Sequence, residues 1–155
     1  MIREAESGVL RAVQKWAAKQ IALIPELMAE GVFVMAEDEG DYESELEKRI
    51  ARGVLSVFVS TPSMARTGYK LREVEVSIKT LESVKIHRSG SRIVNWTALR
   101  VTEAIIAKLD HVKMDAQPWA VFEATSEPIQ LESQAPWLVY EARLTARVKI
   151  ENKSV

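Results

Sequence analysis

The strongest constraint on the fold is a strict alternation of apolar and polar side chains near the end of the sequence. From residue 138 to residue 150, every second position is apolar and most positions between are charged. The apolar set is Leu138, Tyr140, Ala142, Leu144, Ala146, Val148 and Ile150. A period of two residues is typical of a β-strand with one buried and one solvated face. At about 3.4 Å per residue, this predicted strand is roughly 40 Å long.

A second long strand is predicted around residues 73–86 by the same kind of pattern. Its apolar face carries Val74, Val76, Ile78, Val84 and Ile86, and its other face carries Glu73, Glu75, Ser77 and Lys79. Strands with one wet face are typical of antiparallel sheets. The sequence therefore predicts an antiparallel sheet that exposes a charged face.

Shorter strands are predicted from apolar, β-branched runs. They cover Val32–Ala36, Val54–Val59 and Trp119–Ala124. The second of these is expected to stop at Thr61-Pro62-Ser63, because proline cannot donate to a strand ladder, and residues 64–70 are expected to form a loop. Residues 126–136 contain two prolines and are predicted to form a connection or an irregular edge.

Two main helices are predicted from apolar residues spaced three and four apart. The first covers residues 4–24 and is limited by Pro25, and the second covers residues 96–112, with Asn95 or Thr97 as its N-cap.

Two shorter helical segments are also expected. A proline-started turn covers Pro25–Glu30, and a short helix covers Tyr42–Arg52 with Asp41 as its cap. The stretch Glu37–Asp41 before this short helix is acidic and is predicted to be a solvated loop.

Taken together, the elements predict an α+β fold: an antiparallel or mixed sheet with two main helices packed on one face, plus one short helix. A chain of 155 residues with 47% hydrophobic and 28% charged residues fits a single globular domain over residues 1–155. Its apolar runs are too short for a membrane span, and the first residues lack the apolar core of a signal peptide.

The sequence gives little support to catalysis. It contains no cysteine and two histidines, His87 and His111, which form none of the usual metal-ligand patterns. Glu43 and Glu47 lie four apart and could pair for acid–base chemistry, but an exposed helix face explains them more simply. We therefore expect no catalytic residue, no metal site and no cofactor, and a protein that is not an enzyme.

The charged faces of the two long strands are the main candidate interface. They carry Glu73, Glu75, Lys79, Glu141, Arg143, Arg147 and Lys149. Mixed signs favour contact between protein subunits or an aqueous channel over small-molecule binding, although the solvated face of a monomer is an equally good explanation. The net charge of −1 argues against a dedicated nucleic-acid binder.

The layout resembles the tail-terminator and minor-tail proteins of tailed phages and prophages. The resemblance is carried by the helix over Glu4–Ile24, the strand over Gly53–Val59, the helix over Thr97–Leu109 and the closing strand over Val139–Ile150. It implies a ring of copies, six in that family, that caps the tail tube and presents a surface to head-completion proteins.

On this resemblance the partners are other copies of the chain, tail-tube protein and head-completion proteins, with no membrane and no sequence-specific nucleic acid. The protein would lie in the virion, and in the host cytoplasm during assembly. The basic, glycine-containing loop with His87, Arg88 and Arg92 would contact a partner. The alternative is a monomeric or dimeric α+β module that binds a small ligand or a protein without catalysis.

Overall fold

The fold is dominated by one sheet. The computed structural model describes residues 4–41, 43–45, 47–48, 55–83, 96–115, 118–132 and 137–150. The helices are α1 (Glu4–Ala22), α2 (Pro25–Ala29), α3 (within residues 43–48) and α4 (Ala98–Leu109). The strands are β1 (Phe33–Ala36), β2 (Ser56–Gly68), β3 (Leu71–Ser83), β4 (Lys113–Met114), β5 (Trp119–Ala124), β6 (Ile129–Leu131) and β7 (Trp137–Lys149).

The strand order in the seven-stranded sheet is β1-β2-β3-β7-β5-β4, and β6 also pairs with β7. β1 pairs with β2 in parallel, and every other pairing is antiparallel. The long strands β3 and β7 pair along their whole length, from Leu71 opposite Lys149 to Ser83 opposite Trp137. β5 and β6 follow one another along the opposite side of β7.

The predicted fold class is wrong. We expected a sheet with two main helices packed on one face, plus one short helix. In the part of the chain that the structure describes, strand outweighs helix, 46% against 32%, and seven mixed strands form a curled half-barrel accompanied by four helices. The physical reason is strand length: β2, β3 and β7 each have 13 residues, and the right-handed twist of long paired strands accumulates into a curl.

The curl is visible in the contacts of α1. This helix packs against β1 and β2, yet the Trp16 ring also stacks on Phe122 of β5, with ring centroids 5.0 Å apart. Two strands, β3 and β7, separate β2 from β5, which is about 14 Å in a flat sheet. The sheet therefore bends around α1, and the helix reaches strands from both halves.

β2 runs further than its sequence predicts. The expected stop at Thr61-Pro62-Ser63 and the expected loop over residues 64–70 are wrong, because β2 continues to Gly68. The pairing with β3 shifts register between Ser60 and Ser63, so Pro62 lies in a bulge. Proline is tolerated at bulges and on edge strands, where its missing N–H breaks no ladder bond.

Two helix caps that the sequence predicts are present in the structure. The backbone N–H of Arg100 donates to Thr97 Oγ1 at 3.3 Å, which confirms Thr97 as the N-cap of α4. The N–H of Ser44 donates to Asp41 Oδ1 at 3.1 Å, which confirms the cap before α3. The buried stripe of α4 (Ala98, Val101, Ile105 and Leu109) joins the core formed with α1 and the sheet.

Candidate functional site

The charged residues singled out in the sequence lie on one face of β3 and β7, which we call the polar face. Residues with odd numbers point to this face on both strands, because the register pairs odd with odd. Its charged members are Glu73, Glu75, Lys79, Glu141, Arg143, Arg147 and Lys149. Two opposite-charge pairs face each other directly across the strands: Glu73 with Arg147, and Lys79 with Glu141. Such pairs stabilise a sheet, so the shared face has a structural role whatever else it does.

Glu141 is the centre of the polar face. Its residue is only 6% exposed, and the Ser77 hydroxyl donates to its Oε2 at 2.6 Å. Arg143 Nε donates to Oε1. Burial raises the pKa of Glu141, but the hydrogen bonds from Ser77 and Arg143, and the charges of Arg143 and Lys79, together bring it below its ordinary value. The carboxylate is ionised at neutral pH with both oxygens bonded, which makes it a poor general base.

A groove of about 660 Å³ opens beside this cluster. We call it the polar groove; its lining includes Ser77, Lys79, Glu141, Arg143 and Thr125. Thr125 follows β5 at the gap before β6, and its backbone N–H and its hydroxyl both donate to the Arg143 carbonyl, at 3.0 and 3.1 Å. The interruption between β5 and β6 therefore helps to shape the groove.

A second groove, of about 490 Å³, lies at the other end of the polar face. We call it the hairpin groove; its lining includes Leu71, Trp119, Val121, Val148, Arg72 and Arg147. The turn between β2 and β3 lies next to it and carries Tyr69, which is 86% exposed. Large exposed apolar side chains around a groove are typical of an interaction surface.

Of the two histidines, the structure describes His111. His87, Arg88 and Arg92 lie outside the described residues, so the loop contact stays a prediction. His111 follows α4 with φ +61°, and its Nε2 lies 3.5 Å from Asp110 Oδ2. Asp110 also accepts from the N–H of Ala124 at 2.8 Å, so this pair joins the end of α4 to β5.

Two buried acidic residues were missed or misjudged by sequence reasoning. Glu141 was expected on an exposed face, and nothing near it in sequence signals its burial, because Ser77 is 64 residues away. Glu82 is fully buried and accepts from the N–H of Ala98 at 3.0 Å, at the start of α4. The sequence did indicate the burial of Glu82, because this acidic residue is at a position of β3 that shares the apolar face with Val76 and Ile78.

Comparison with known proteins adds no family to this description: no family model and no curated protein matches the sequence. Among the described residues, no group of three or more histidine, aspartate or glutamate side chains is arranged to hold a metal ion. Within the same part of the chain, no helix combines the length and the apolar character needed to cross a membrane.

Proposed function

We propose that this chain is an assembly subunit of the tail-terminator kind, which forms an oligomeric ring in a phage or prophage virion and has no catalytic role. The observation that carries the proposal is the open edge of β2. β1 covers only Ser56–Val59, and among the described strands β3 alone pairs with residues 60–68. A strand edge with available backbone N–H and C=O groups is a place where another protein chain can add.

The edge has features that fit regulated rather than indiscriminate pairing. Register shifts follow Ser60 and Arg66, and Pro62 lies between them. Bulges and prolines on an edge reduce accidental strand addition, so a specific partner is required. In a ring that assembles only on a finished tube, such restraint would keep free subunits apart.

The remaining parts of the proposal follow from the same role. The ring would cap the tail tube and meet head-completion proteins, in the virion and in the host cytoplasm during assembly. The loop with His87, Arg88 and Arg92 would contact one of these partners. The mixed-sign polar face would add contacts whose geometry is set by charge pairs.

The test is the state of the purified protein, alone and with tail-tube protein. Sedimentation velocity and native mass measurement over a range of concentrations should reveal oligomers, and electron microscopy should show closed rings. Added during tube polymerisation, the protein should shorten the tubes and appear at their ends. A chain that is monomeric under all these conditions, and leaves tube length unchanged, would contradict the proposal.

Edge variants test the observation that carries the proposal. Ser63→Lys and Ala65→Lys place charges on the open edge of β2, where both residues are exposed, and should weaken assembly without unfolding the chain. Ala107→Lys is the matched control, because Ala107 is exposed on α4, away from the edge. Equal assembly of all three variants would show that the edge is not used.

A second candidate function is a small-ligand or protein-binding module without catalysis. The polar groove favours it, since about 660 Å³ lies within the usual range of ligand pockets and polar groups converge there. This candidate predicts a monomer or dimer whose melting temperature rises with a bound ligand. Thermal-shift screening of small charged compounds, with Lys79→Ala as the comparison, separates it from the assembly proposal.

A further inference from the structure

Two exposed apolar clusters lie near opposite ends of the long strands, one before Phe33, which pairs with Ser56 at the start of β2, and one beside the turn from β2 to β3. The first, which we call the α2 cluster, consists of Leu23, 51% exposed, and Met28, 62% exposed. It lies directly before β1, the strand at one edge. The second is the hairpin groove, whose Trp119 and Val121 belong to β5, next to the other edge strand β4.

The α2 cluster stands in an acidic surrounding. Glu26 and Glu30 on either side of Met28 are both exposed. The sequence has no lysine or arginine between Lys19 and Lys48, although it has nine acidic residues in that interval: Glu26, Glu30, Glu37, Asp38, Glu39, Asp41, Glu43, Glu45 and Glu47. A cluster of this kind needs a partner that is apolar in the middle and basic around it.

The hairpin groove has that composition. Lys149 pairs in register with both Leu71 and Trp119, and Lys113 lies 5.2 Å from the Trp119 ring centroid. Basic residues around the groove are Lys70, Lys113, Arg147 and Lys149, together with the buried Arg72, whereas the acidic residues there include Glu73, Asp115 and Glu123. Two of the basic residues already have partners: Arg147 Nη2 lies 3.5 Å from Glu123 Oε2, and Arg72 Nη1 donates to the Leu71 carbonyl. Lys113 and Lys149 are both exposed and keep the rim positive.

We infer that the α2 cluster of one copy docks into the hairpin groove of the next copy, as the head-to-tail contact of the ring. The inference rests on the proposed function, because it takes self-assembly as given and identifies the surfaces. A contact between two different surfaces is heterologous, and such contacts close into rings when the rotation between subunits permits. A groove of about 490 Å³ admits apolar side chains of this size, and methionine adapts readily to an irregular site.

Charge exchange between the two surfaces is the test. Variant A carries Glu26→Lys and Glu30→Lys, and variant B carries Lys113→Glu and Lys149→Glu. Each variant alone places like charges at the contact and should weaken self-association by about 100-fold or more. A one-to-one mixture restores opposite charges at every contact, so it should assemble again, with A and B alternating. Sedimentation velocity and native mass measurement give the stoichiometry.

A matched control carries Glu103→Lys and Lys108→Glu, which are exposed on α4 outside both surfaces, and should assemble like wild type. Circular dichroism should show that all variants are folded. Wild-type assembly that neither A nor B disturbs overturns the inference and leaves the proposed function standing. Loss of assembly in A and B without recovery in the mixture also overturns it. A wild-type chain that never self-associates, either alone or with tail-tube protein, and leaves tube length unchanged overturns both proposals.

Discussion

The hydroxyl of Ser77 donates a 2.6 Å hydrogen bond to Oε2 of Glu141, and this contact joins two central strands of the sheet. The two residues are diagonal neighbours, since Ser77 faces Arg143 in register and Glu141 faces Lys79. The carboxylate is therefore held from β3 and from β7 at once. Because these partners stabilise the ionised form, the contribution of the cluster to stability depends on pH.

The first prediction concerns Glu141→Gln. The pKa of Glu141 is lowered in the folded protein, so its stabilisation is present at neutral pH and is lost as the pH falls from about 4.3 through the folded value. The variant should lose about 1–2 kcal/mol of unfolding free energy at pH 7. This deficit should shrink on acidification. Urea unfolding at neutral pH and at a pH below the lowered pKa of Glu141 measures both values.

Glu73→Gln is the control for this experiment. Glu73 is exposed on the same face, so the change in unfolding free energy should stay within about 0.5 kcal/mol. A deficit in the Glu141 variant that is the same at both pH values would contradict the assigned cause.

The second prediction concerns Glu82, which connects the end of β3 to the start of α4. Glu82→Ala removes the acceptor for the buried N–H of Ala98 and should lower the unfolding free energy by about 2 kcal/mol or more. Glu82→Gln keeps an acceptor oxygen and should lose less. Thr97→Ala removes only the more exposed cap and should lose about 1 kcal/mol. If the Ala and Gln variants of Glu82 are equally stable, this hydrogen bond is not what stabilises the helix start.

The third prediction concerns the stacked rings of Trp16 and Phe122. Phe122 is fully buried, so Phe122→Ala should destabilise the protein by about 3–5 kcal/mol. A double-mutant cycle with Trp16→Ala should give a coupling of about 0.5–1.5 kcal/mol beyond the loss of buried area. Denaturant unfolding of the two single variants and the double variant measures it. Strict additivity would mean that α1 does not reach β5 in solution.

The fourth prediction compares alanine substitutions at two glycines, which should change stability in opposite directions. Gly8 lies inside α1, and a Cβ there would meet no atom within 4 Å, so Gly8→Ala should stabilise the protein by about 0.5–1 kcal/mol. Gly31 has φ +67° in the turn from α2 to β1, so Gly31→Ala should destabilise it by about 1 kcal/mol despite equally open space. Thermal unfolding of both variants compares the signs. A shift of the same sign in both would contradict the backbone argument.

Local patterns predicted the elements better than their arrangement. The alternation that predicts a strand over residues 138–150 corresponds to β7, and the run Trp119–Ala124 is β5 with the same bounds. Both succeed because a period of two residues is a local property. The seven charged residues were placed on one face for the same reason, and their use as an interface stays a prediction.

The arrangement depends on contacts between distant residues, which no local pattern records. β2 was expected to stop at Pro62, but it continues because Pro62 lies in a bulge on an open edge of the strand. The curl of the sheet arises from twist accumulated over long strands and from the stacking contact between the rings of Trp16 and Phe122. The burial of Glu141 depends on a hydrogen bond from Ser77 on another strand. Glu141 is therefore a buried ion, although the local sequence pattern predicts an exposed residue.

The position of β7 has a consequence for how the molecule is made. This strand follows all its neighbours in the sequence, yet it lies between β3 on one side and β5 and β6 on the other. During synthesis, β3 and β5 therefore leave the ribosome before β7, the strand that pairs with both of them. Until β7 follows, the sheet is incomplete and its apolar faces are not fully covered. Contacts of such long sequence separation form slowly and leave nascent chains open to aggregation.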